Sequence, residues 1–308
     1  MLDRYVAQVR LLVDVLPDVA AEPGFALKGG TAINLFVRNM PRLSVDIDLT
    51  WLPIGDRYTS LREIGGALDR IADSINRRNP EVTARRTGGD GVSDTRIVVT
   101  RGRVRVKIET SPVARGAVLP PRAMVASEAV TEQFGFVEMK VLSFEDLYAG
   151  KLVAALDRQH PRDLFDINLL YQNEGLTDDL FRVFMVYVAG SRRPMHELLG
   201  PGKALTRDGF DTEFAGMARN GTSLESLLET GQRLLADITS RLKGEVAAFL
   251  LSLHDAEPDF GLIGLPEAAE LPAVRWKLLN LRRLRQSDPD KHMAQRGAIL
   301  KLFRSGSR

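Results

Sequence analysis

Apolar and polar residues are spaced along the first half of the chain as in a protein with both helices and strands. In residues 2–20 and 61–78 apolar side chains recur every three or four positions, which predicts two amphipathic helices. A shorter helix is expected over residues 31–38, and Gly88-Gly89-Asp90-Gly91 is expected to be a turn. Short apolar or alternating segments predict four strands: residues 25–27, 44–51, 95–100 and 103–110.

The second half of the chain is predicted to be helical from about residue 142 onward. The segment Ser143-Phe144-Glu145-Asp146 resembles a capping box that opens a helix ending near Arg158. Pro161 then stands where the first turn of the next helix tolerates proline. We therefore predict an α+β fold, with a small mixed-sheet core in residues 1–140 and an all-helical domain in residues 141–308.

The composition excludes several classes of protein. The chain of 308 residues is 44% apolar and 27% charged, a globular balance that rules out disordered, collagen-like and coiled-coil proteins. It holds no cysteine, so neither a disulfide framework nor a cysteine-based zinc site is possible. No apolar run approaches the ~18–20 residues that span a bilayer, and no signal-peptide pattern is present. We expect a soluble cytoplasmic protein with no membrane partner.

Positive charge is concentrated in two stretches, although the net charge is only +2. Residues 77–107 contain nine Arg or Lys against three acids, and residues 275–308 contain ten against two. The guanidinium of arginine donates two parallel hydrogen bonds to phosphate, so these stretches favour a polyanionic partner such as RNA. The alternative is ordinary solvated arginine on the surface.

The most specific pattern joins Gly29-Gly30-Thr31 to Asp46-Ile47-Asp48, which follows fifteen residues later. Asp46 and Asp48 are two residues apart on a predicted strand, so their carboxylates project from one face and repel each other. A cation between them removes this repulsion, and Mg²⁺ takes one or two carboxylates together with substrate phosphates. The alternative is a solvated strand on which the two aspartates bind no ligand.

Three further features surround this pattern. Gly29 and Gly30 allow a phosphate to approach the backbone, and the helix start after them offers unpaired N–H groups. Ser44 projects from the same strand face as Asp46 and is a candidate phosphate contact. Glu109 is either a third carboxylate for two-metal catalysis or an acid that balances the basic residues beside it on its strand.

A second candidate group lies in the helical half. Lys151 and Arg158 are seven residues apart, hence on one helix face, and are suited to neutralise phosphate charge. Asp163 and Asp166 are three residues apart and share a face of the next helix. The alternative is a set of salt bridges between the helices that also involves Arg162.

The chain resembles a known family through four successive motifs and a terminal helix: LKGGTAINLF, RLSVDIDLTW, VKIET, DLYAGKLVAALDRQHPRDLFDINLL and AVRWKLLNLRRL. These motifs are similar to those of the AbiEii/AbiGii-type nucleotidyltransferase toxins, which belong to the DNA polymerase β-like nucleotidyltransferase superfamily. The resemblance covers residues 25–170 and 275–285. It implies a polymerase β-like core and an enzyme that uses a nucleoside triphosphate.

The resemblance also implies roles for individual residues. Gly30 and Thr31 would hold the triphosphate, with Gly29 and Ser44 beside them. The Mg²⁺ ligands would be three carboxylates: Asp46, Asp48 and Glu109. Lys151 would contact the triphosphate. Asp163, with Asp166 one turn further on, would orient this lysine or the incoming hydroxyl.

Members of the family act as toxins paired with an antitoxin, and several modify the 3′ end of tRNA. We therefore expect metal-dependent transfer of a nucleoside monophosphate from a nucleoside triphosphate to RNA, with tRNA as the acceptor and pyrophosphate as the leaving group. Two alternatives stay open. One is transfer to a small molecule or a protein hydroxyl, and the other is a catalytically silent module that binds nucleic acid.

Overall fold

The computed structural model describes residues 3–87, 95–202, 205–219 and 221–305. The glycine-rich turn predicted at residues 88–91 lies outside these ranges. Within them, seven strands form one mixed sheet, and most of the other residues are helical. The predicted α+β class is therefore confirmed.

The chain divides into two compact units. The first unit comprises residues 1–147 together with 215–221, and the second comprises residues 148–214 and 222–308. The short segment 215–221 joins the first unit through backbone hydrogen bonds, in which Leu43 N–H donates to Met217 O and Arg219 N–H donates to Pro41 O.

The first unit contains the sheet. Its strands, among the described residues, are β1 (Phe25–Lys28), β2 (Asp46–Trp51), β3 (Thr83–Arg86), β4 (Arg96–Arg101), β5 (Val104–Thr110), β6 (Arg122–Val125) and β7 (Glu138–Val141). Its helices are α1 (Asp3–Ala20), α2 (Gly29–Ala32), which continues as a π-helical turn (Ile33–Val37), α3 (Arg57–Arg78), α4 (Glu128–Phe134) and the first turn of α5 (Phe144–Arg158).

Strand β2 lies at the centre of the sheet, whose strand order is β3-β4-β5-β2-β1-β7-β6. It pairs with β1 in antiparallel and with β5 in parallel orientation. Ile47 and Leu49 on one face of β2 are fully buried, whereas Asp46 and Asp48 on the other face are partly exposed. Because β2 is hydrogen-bonded on both sides, its register fixes the position of both carboxylates.

Two long helices pack on this sheet. Helix α1 contacts β5 and β7, and α3 contacts β3 and β4. Each helix buries an apolar stripe that includes Leu12 and Leu16 in α1, and Leu68 and Ile71 in α3. Burying one such side chain stabilises the fold by about 1.5–3 kcal/mol, so these stripes account for the attachment of both helices to the sheet.

In the second unit all the regular secondary structure among the described residues is helical. After α5 its helices are α6 (Pro161–Asn173), α7 (Asp178–Gly190), α8 (Met195–Leu198), α9 (Arg207–Glu213), α10 (Leu224–Arg241), α11 (Gly244–His254), α12 (Pro272–Ser287) and α13 (Pro289–Ser305), with two 3₁₀ turns between α11 and α12 (Phe260–Ile263 and Pro266–Glu270). Side chains cap several of them; Thr177 and Ser223, for example, accept backbone N–H groups at the starts of α7 and α10.

The elements differ from the sequence predictions mainly where they are short. The helix expected over residues 31–38 begins two residues earlier, at Gly29, and is π-helical from Ile33. Three strands, β3, β6 and β7, were not predicted from the sequence. Each has only four residues, which is too short for an alternation of apolar and polar residues to be recognised.

None of the described helices combines the length and the apolar composition needed to cross a membrane.

Candidate active site

The two aspartates of β2 project from the same, partly exposed face of this strand. In the pairing of β2 with its neighbours, Asp48 lies opposite Lys28 of β1 and opposite Glu109 of β5, and Asp46 lies opposite Lys107. The candidate residues 46, 48 and 109 are therefore neighbours on two adjacent strands. Each of the two aspartates therefore has a lysine opposite it on a neighbouring strand.

The glycine turn after β1 lies directly against Asp48. Gly29 has a φ of +71°, and a Cβ atom built on it would lie 2.5 Å from Asp48 Oδ2. Only glycine adopts this backbone conformation readily, and only a residue without a side chain leaves room for the carboxylate. A Cβ at Gly30 would meet Arg42 Nη2 at 2.9 Å and Ser44 Oγ at 3.0 Å. Both glycines are therefore needed for the backbone to approach these polar groups.

Hydrogen bonds fasten this turn to the start of β2. The hydroxyl of Thr31 donates to the backbone oxygen of Asp46 at 2.5 Å and lies 3.0 Å from Ser44 Oγ. Asn34 Nδ2 donates to Gly30 O at 2.9 Å. Thr31 and Ser44 are buried, so their hydroxyls hold the turn in place beside the two carboxylates. The predicted residues Gly29, Gly30, Thr31, Ser44, Asp46 and Asp48 thus form one contiguous group.

Two cationic residues in this group had no role in the sequence prediction. Burial lowers the pKa of Lys28, and the nearby charge of Asp48 opposes this shift. Arg42 is 2% exposed, and its Nη1 donates to Leu43 O at 2.9 Å. Both residues stand inside the motifs that resemble the family, but the sequence gave no signal that Arg42 would be buried and Lys28 partly buried. Lys28 therefore provides a positive charge of the protein itself beside Asp48.

Glu109 is adjacent to Asp48 in the register, but its side chain is engaged elsewhere. Its Oε1 lies 2.5 Å from Arg96 Nε, and Arg96 stands on the neighbouring strand β4. Within the part of the chain that the structure describes, no three His, Asp or Glu side chains are close enough together to hold a metal ion. The structure therefore brings together two carboxylates, and it leaves the third paired with an arginine.

The second candidate group forms a compact ionic network within the second unit. Lys151 Nζ lies 2.8 Å from Asp163 Oδ1 and 2.9 Å from Asp166 Oδ2. Arg158 Nε lies 2.6 Å from Asp163 Oδ2. Both aspartate side chains are at most 1% exposed, and that of Lys151 is 8% exposed. The structure thus contains the salt bridges of the alternative interpretation, formed by Lys151 and Arg158 with the two aspartates.

The electrostatics of Asp163 follow from this network. Burial acts to raise the pKa of Asp163, but the charges and hydrogen bonds of Lys151 and Arg158 outweigh it and hold that pKa well below its usual range. Asp163 is therefore ionised at every physiological pH.

The start of α6 is capped by His160, whose ring nitrogen Nδ1 accepts a hydrogen bond from the backbone N–H of Arg162.

A glycine turn fastened to a strand that carries two carboxylates on one face is the arrangement that the resemblance to polymerase β-like nucleotidyltransferases implies. The fold and this group therefore indicate an enzyme of the nucleotidyltransferase class. Residues 10–280 match the family model described as the nucleotidyl transferase AbiEii toxin of type IV toxin–antitoxin systems. The chain belongs to the AbiEii nucleotidyltransferase toxin family, which confirms both the predicted family and the predicted enzyme class.

No curated protein matches the chain. Among solved structures, it is similar to MenT4, a nucleotidyltransferase toxin from Mycobacterium tuberculosis H37Rv, with a TM-score of 0.61 and 16% sequence identity. The similarity covers 90% of this chain and 93% of that chain, and it supports the fold. Membership of the family implies a nucleoside triphosphate as substrate and an antitoxin as partner.

Proposed function

We propose that the protein transfers a nucleoside monophosphate from a nucleoside triphosphate to an RNA acceptor, the 3′ end of tRNA, in the cytoplasm. In this reaction the acceptor hydroxyl oxygen forms a bond to the α-phosphorus. The bond between the α-phosphorus and the bridging oxygen breaks, pyrophosphate leaves with the electron pair, and the hydroxyl proton is released. The contiguous group formed by the glycine turn and the two aspartates of β2 is the observation that carries this proposal.

The donor set fits a divalent metal. Asp46 and Asp48 present partly exposed carboxylates from one strand face, and Mg²⁺ commonly combines such a pair with substrate phosphates. We assign these two residues as the metal ligands and Glu109 as a third acid, which must exchange its contact with Arg96 in order to take part. When bound, the metal would supply a Lewis acid that polarises the phosphoryl oxygens.

The remaining residues bind and position the triphosphate. Gly29 and Gly30 expose the backbone of the turn, and Thr31 and Ser44 keep that turn fixed against β2. Lys28 and Arg42 place positive charge beside the same turn, where the negative phosphates would lie. We further propose that Lys151 and Asp163 of the second unit are required for transfer, as the resemblance implies.

The choice of RNA as the acceptor rests on charge. In the stretch 77–107 several arginines are neutralised by ion pairs, such as Arg78 with Asp18 and Arg86 with Asp69. The stretch 275–308 lies mostly in α12 and α13. Two of its arginines also form ion pairs, Arg275 with Glu270 and Arg296 with Asp255, but it has few acids of its own. Other basic side chains of the stretch, Arg283, Lys291 and Arg304, are exposed. RNA binding through such residues would weaken as the salt concentration rises, whereas transfer to a small molecule would not.

The test uses the purified full chain, Mg²⁺, total tRNA and each of the four nucleoside triphosphates, labelled at the α-phosphate in turn. We expect label in tRNA with the native protein and none with Asp46→Asn. Asp73→Asn is the matched control, since Asp73 is an exposed aspartate on α3 and outside the site. Label in protein or in a small molecule would overturn the RNA acceptor but keep the active site. The absence of any transfer, together with unchanged nucleotide binding by Asp46→Asn, would favour the silent module.

A further inference from the structure

A groove in the second unit lies outside the residues assigned to catalysis. It has a volume of about 320 Å³, at the lower end of the range for ligand cavities. Its polar and aromatic lining comes from three elements: the α7–α8 connection with Arg192, helix α12 with Trp276, Lys277 and Asn280, and helix α13 with Gln295. No carboxylate is among the residues that line it.

Trp276 and Asn280 form one side of the groove. They are four residues apart on α12 and so lie on one face of the helix. The indole of Trp276 is 43% exposed, which is unusual for the largest apolar side chain. The amide of Asn280, also exposed, offers both a donor and an acceptor one helical turn away.

The opposite side of the groove is held rigid by Lys277. Its Nζ donates to Ser191 O at 2.9 Å and to Arg193 O at 2.7 Å, on either side of Arg192. Burial lowers the pKa of Lys277 to about 8, against the raising effect of Glu197, so the ammonium stays charged at neutral pH. Because the backbone on both sides of it is fixed, Arg192 has a defined position at the mouth of the groove.

The guanidinium of Arg192 is exposed and makes no ion pair or hydrogen bond with any residue that the structure describes. It is therefore available to an anion. A flat aromatic surface, an amide that matches a base edge and an arginine that matches a phosphate together form the chemistry of single-stranded nucleic acid recognition.

We propose that this groove binds an unpaired nucleotide of an RNA chain, with its base stacked on Trp276, its base edge at Asn280 and its phosphate at Arg192. The biological use of such a site rests on the proposed RNA acceptor, but the binding itself needs neither metal nor catalysis. The same surface would suit an acidic segment of a protein partner less well, because a carboxylate uses the positive charge but neither the aromatic face nor the amide.

Trp276 is also a spectroscopic reporter for the test. The chain has two tryptophans, and the other one, Trp51, is buried in β2. We would titrate the full-length protein with a single-stranded octa-adenylate RNA in the presence of EDTA and record tryptophan fluorescence. We expect saturable quenching that Trp276→Phe abolishes, because only an exposed indole can stack on a base. Circular dichroism of each variant confirms that it is folded.

A second measurement, the fluorescence anisotropy of octa-adenylate that carries a fluorescent label, separates the contributions of Trp276 and Arg192 to binding. We expect Trp276→Ala to weaken binding by about 5- to 150-fold, since one base–aromatic stack contributes about 1–3 kcal/mol. Arg192→Gln is expected to lower the salt slope by about 0.7, the value for one phosphate contact on a single strand. Leu279→Ala and Arg62→Gln are the matched controls: Leu279 is exposed on α12 outside the groove, Arg62 is exposed on α3 outside both basic stretches, and we expect no change.

Three results would overturn the proposal. Absence of quenching, or equal binding by Trp276→Ala, would show that no base stacks on Trp276. Quenching by free AMP at the same concentrations as octa-adenylate would identify a site for free nucleotides instead of RNA. Quenching of equal size by a poly-glutamate peptide would identify an electrostatic site for an acidic protein. Because the titration contains no nucleoside triphosphate, no transfer can take place in it, and these outcomes are independent of whether the proposed reaction occurs.

Discussion

Replacement of Gly29 by alanine tests whether the glycine turn and Asp48 act as one rigid unit. The φ of +71° at Gly29 costs an L-residue about 1–2 kcal/mol. The new Cβ would also stand 2.5 Å from Asp48 Oδ2, whereas ordinary van der Waals contact begins at 3.4 Å. The carboxylate therefore has to move by about 0.9 Å, and a displacement of about 1 Å at a catalytic group lowers the rate on the order of 100-fold.

Gly102→Ala is the matched control for this variant. Gly102 also has a positive φ, of +56°, but a Cβ there would find nothing within 4 Å. Both variants should lose about 1–2 kcal/mol of stability, which thermal unfolding measures. Only Gly29→Ala should lose nucleotidyl transfer to tRNA in the labelled-triphosphate assay. If Gly102→Ala loses as much activity as Gly29→Ala, or if Gly29→Ala keeps its activity, the hypothesis that the turn controls the position of the Asp48 carboxylate is refuted.

Two further predictions concern the second unit. Lys151→Met removes the ammonium shared by the buried Asp163 and Asp166 and should cost about 3–5 kcal/mol of stability in thermal unfolding; a cost below about 1 kcal/mol would contradict the buried network. His254 and His292 stack at 4.2 Å, and burial lowers the pKa of His254, so the folded state resists its protonation. Stability should therefore fall as the pH drops from the ordinary histidine value of about 6.5 through the lower folded pKa, and His254→Gln should flatten this loss; an unchanged pH profile would refute it.

The local patterns of the sequence were sufficient for the class of fold and for the central motif. Alternation of Val45, Ile47 and Leu49 with Asp46 and Asp48 predicted a strand with both carboxylates on one face, and β2 has that form. This succeeds because the side-chain period of a strand is a property of consecutive residues. The family resemblance depended on such short motifs, and the family model confirmed it.

The partners of the site residues were decided by the tertiary structure. Nothing near Glu109 in the sequence indicates that Arg96 on the next strand takes up its carboxylate. Nothing beside Lys28 indicates that it lies opposite Asp48, twenty residues further along the chain. These contacts depend on strand order and register, which long-range packing sets and local periodicity does not contain.

The ionic network of the second unit shows the same difference between what the sequence predicts and what the fold determines. The spacing of Lys151, Arg158, Asp163 and Asp166 predicted which helix faces carry charge, and it left open whether these charges face phosphate or one another. In the fold these charges contact one another, because both aspartates are buried so deeply that each needs a cation within hydrogen-bond distance. The sequence by itself determined which residues share one face of a strand or a helix, through periods of two and 3.6. The tertiary structure determined which charge neutralises which, because desolvation and distance act only once the chain has packed.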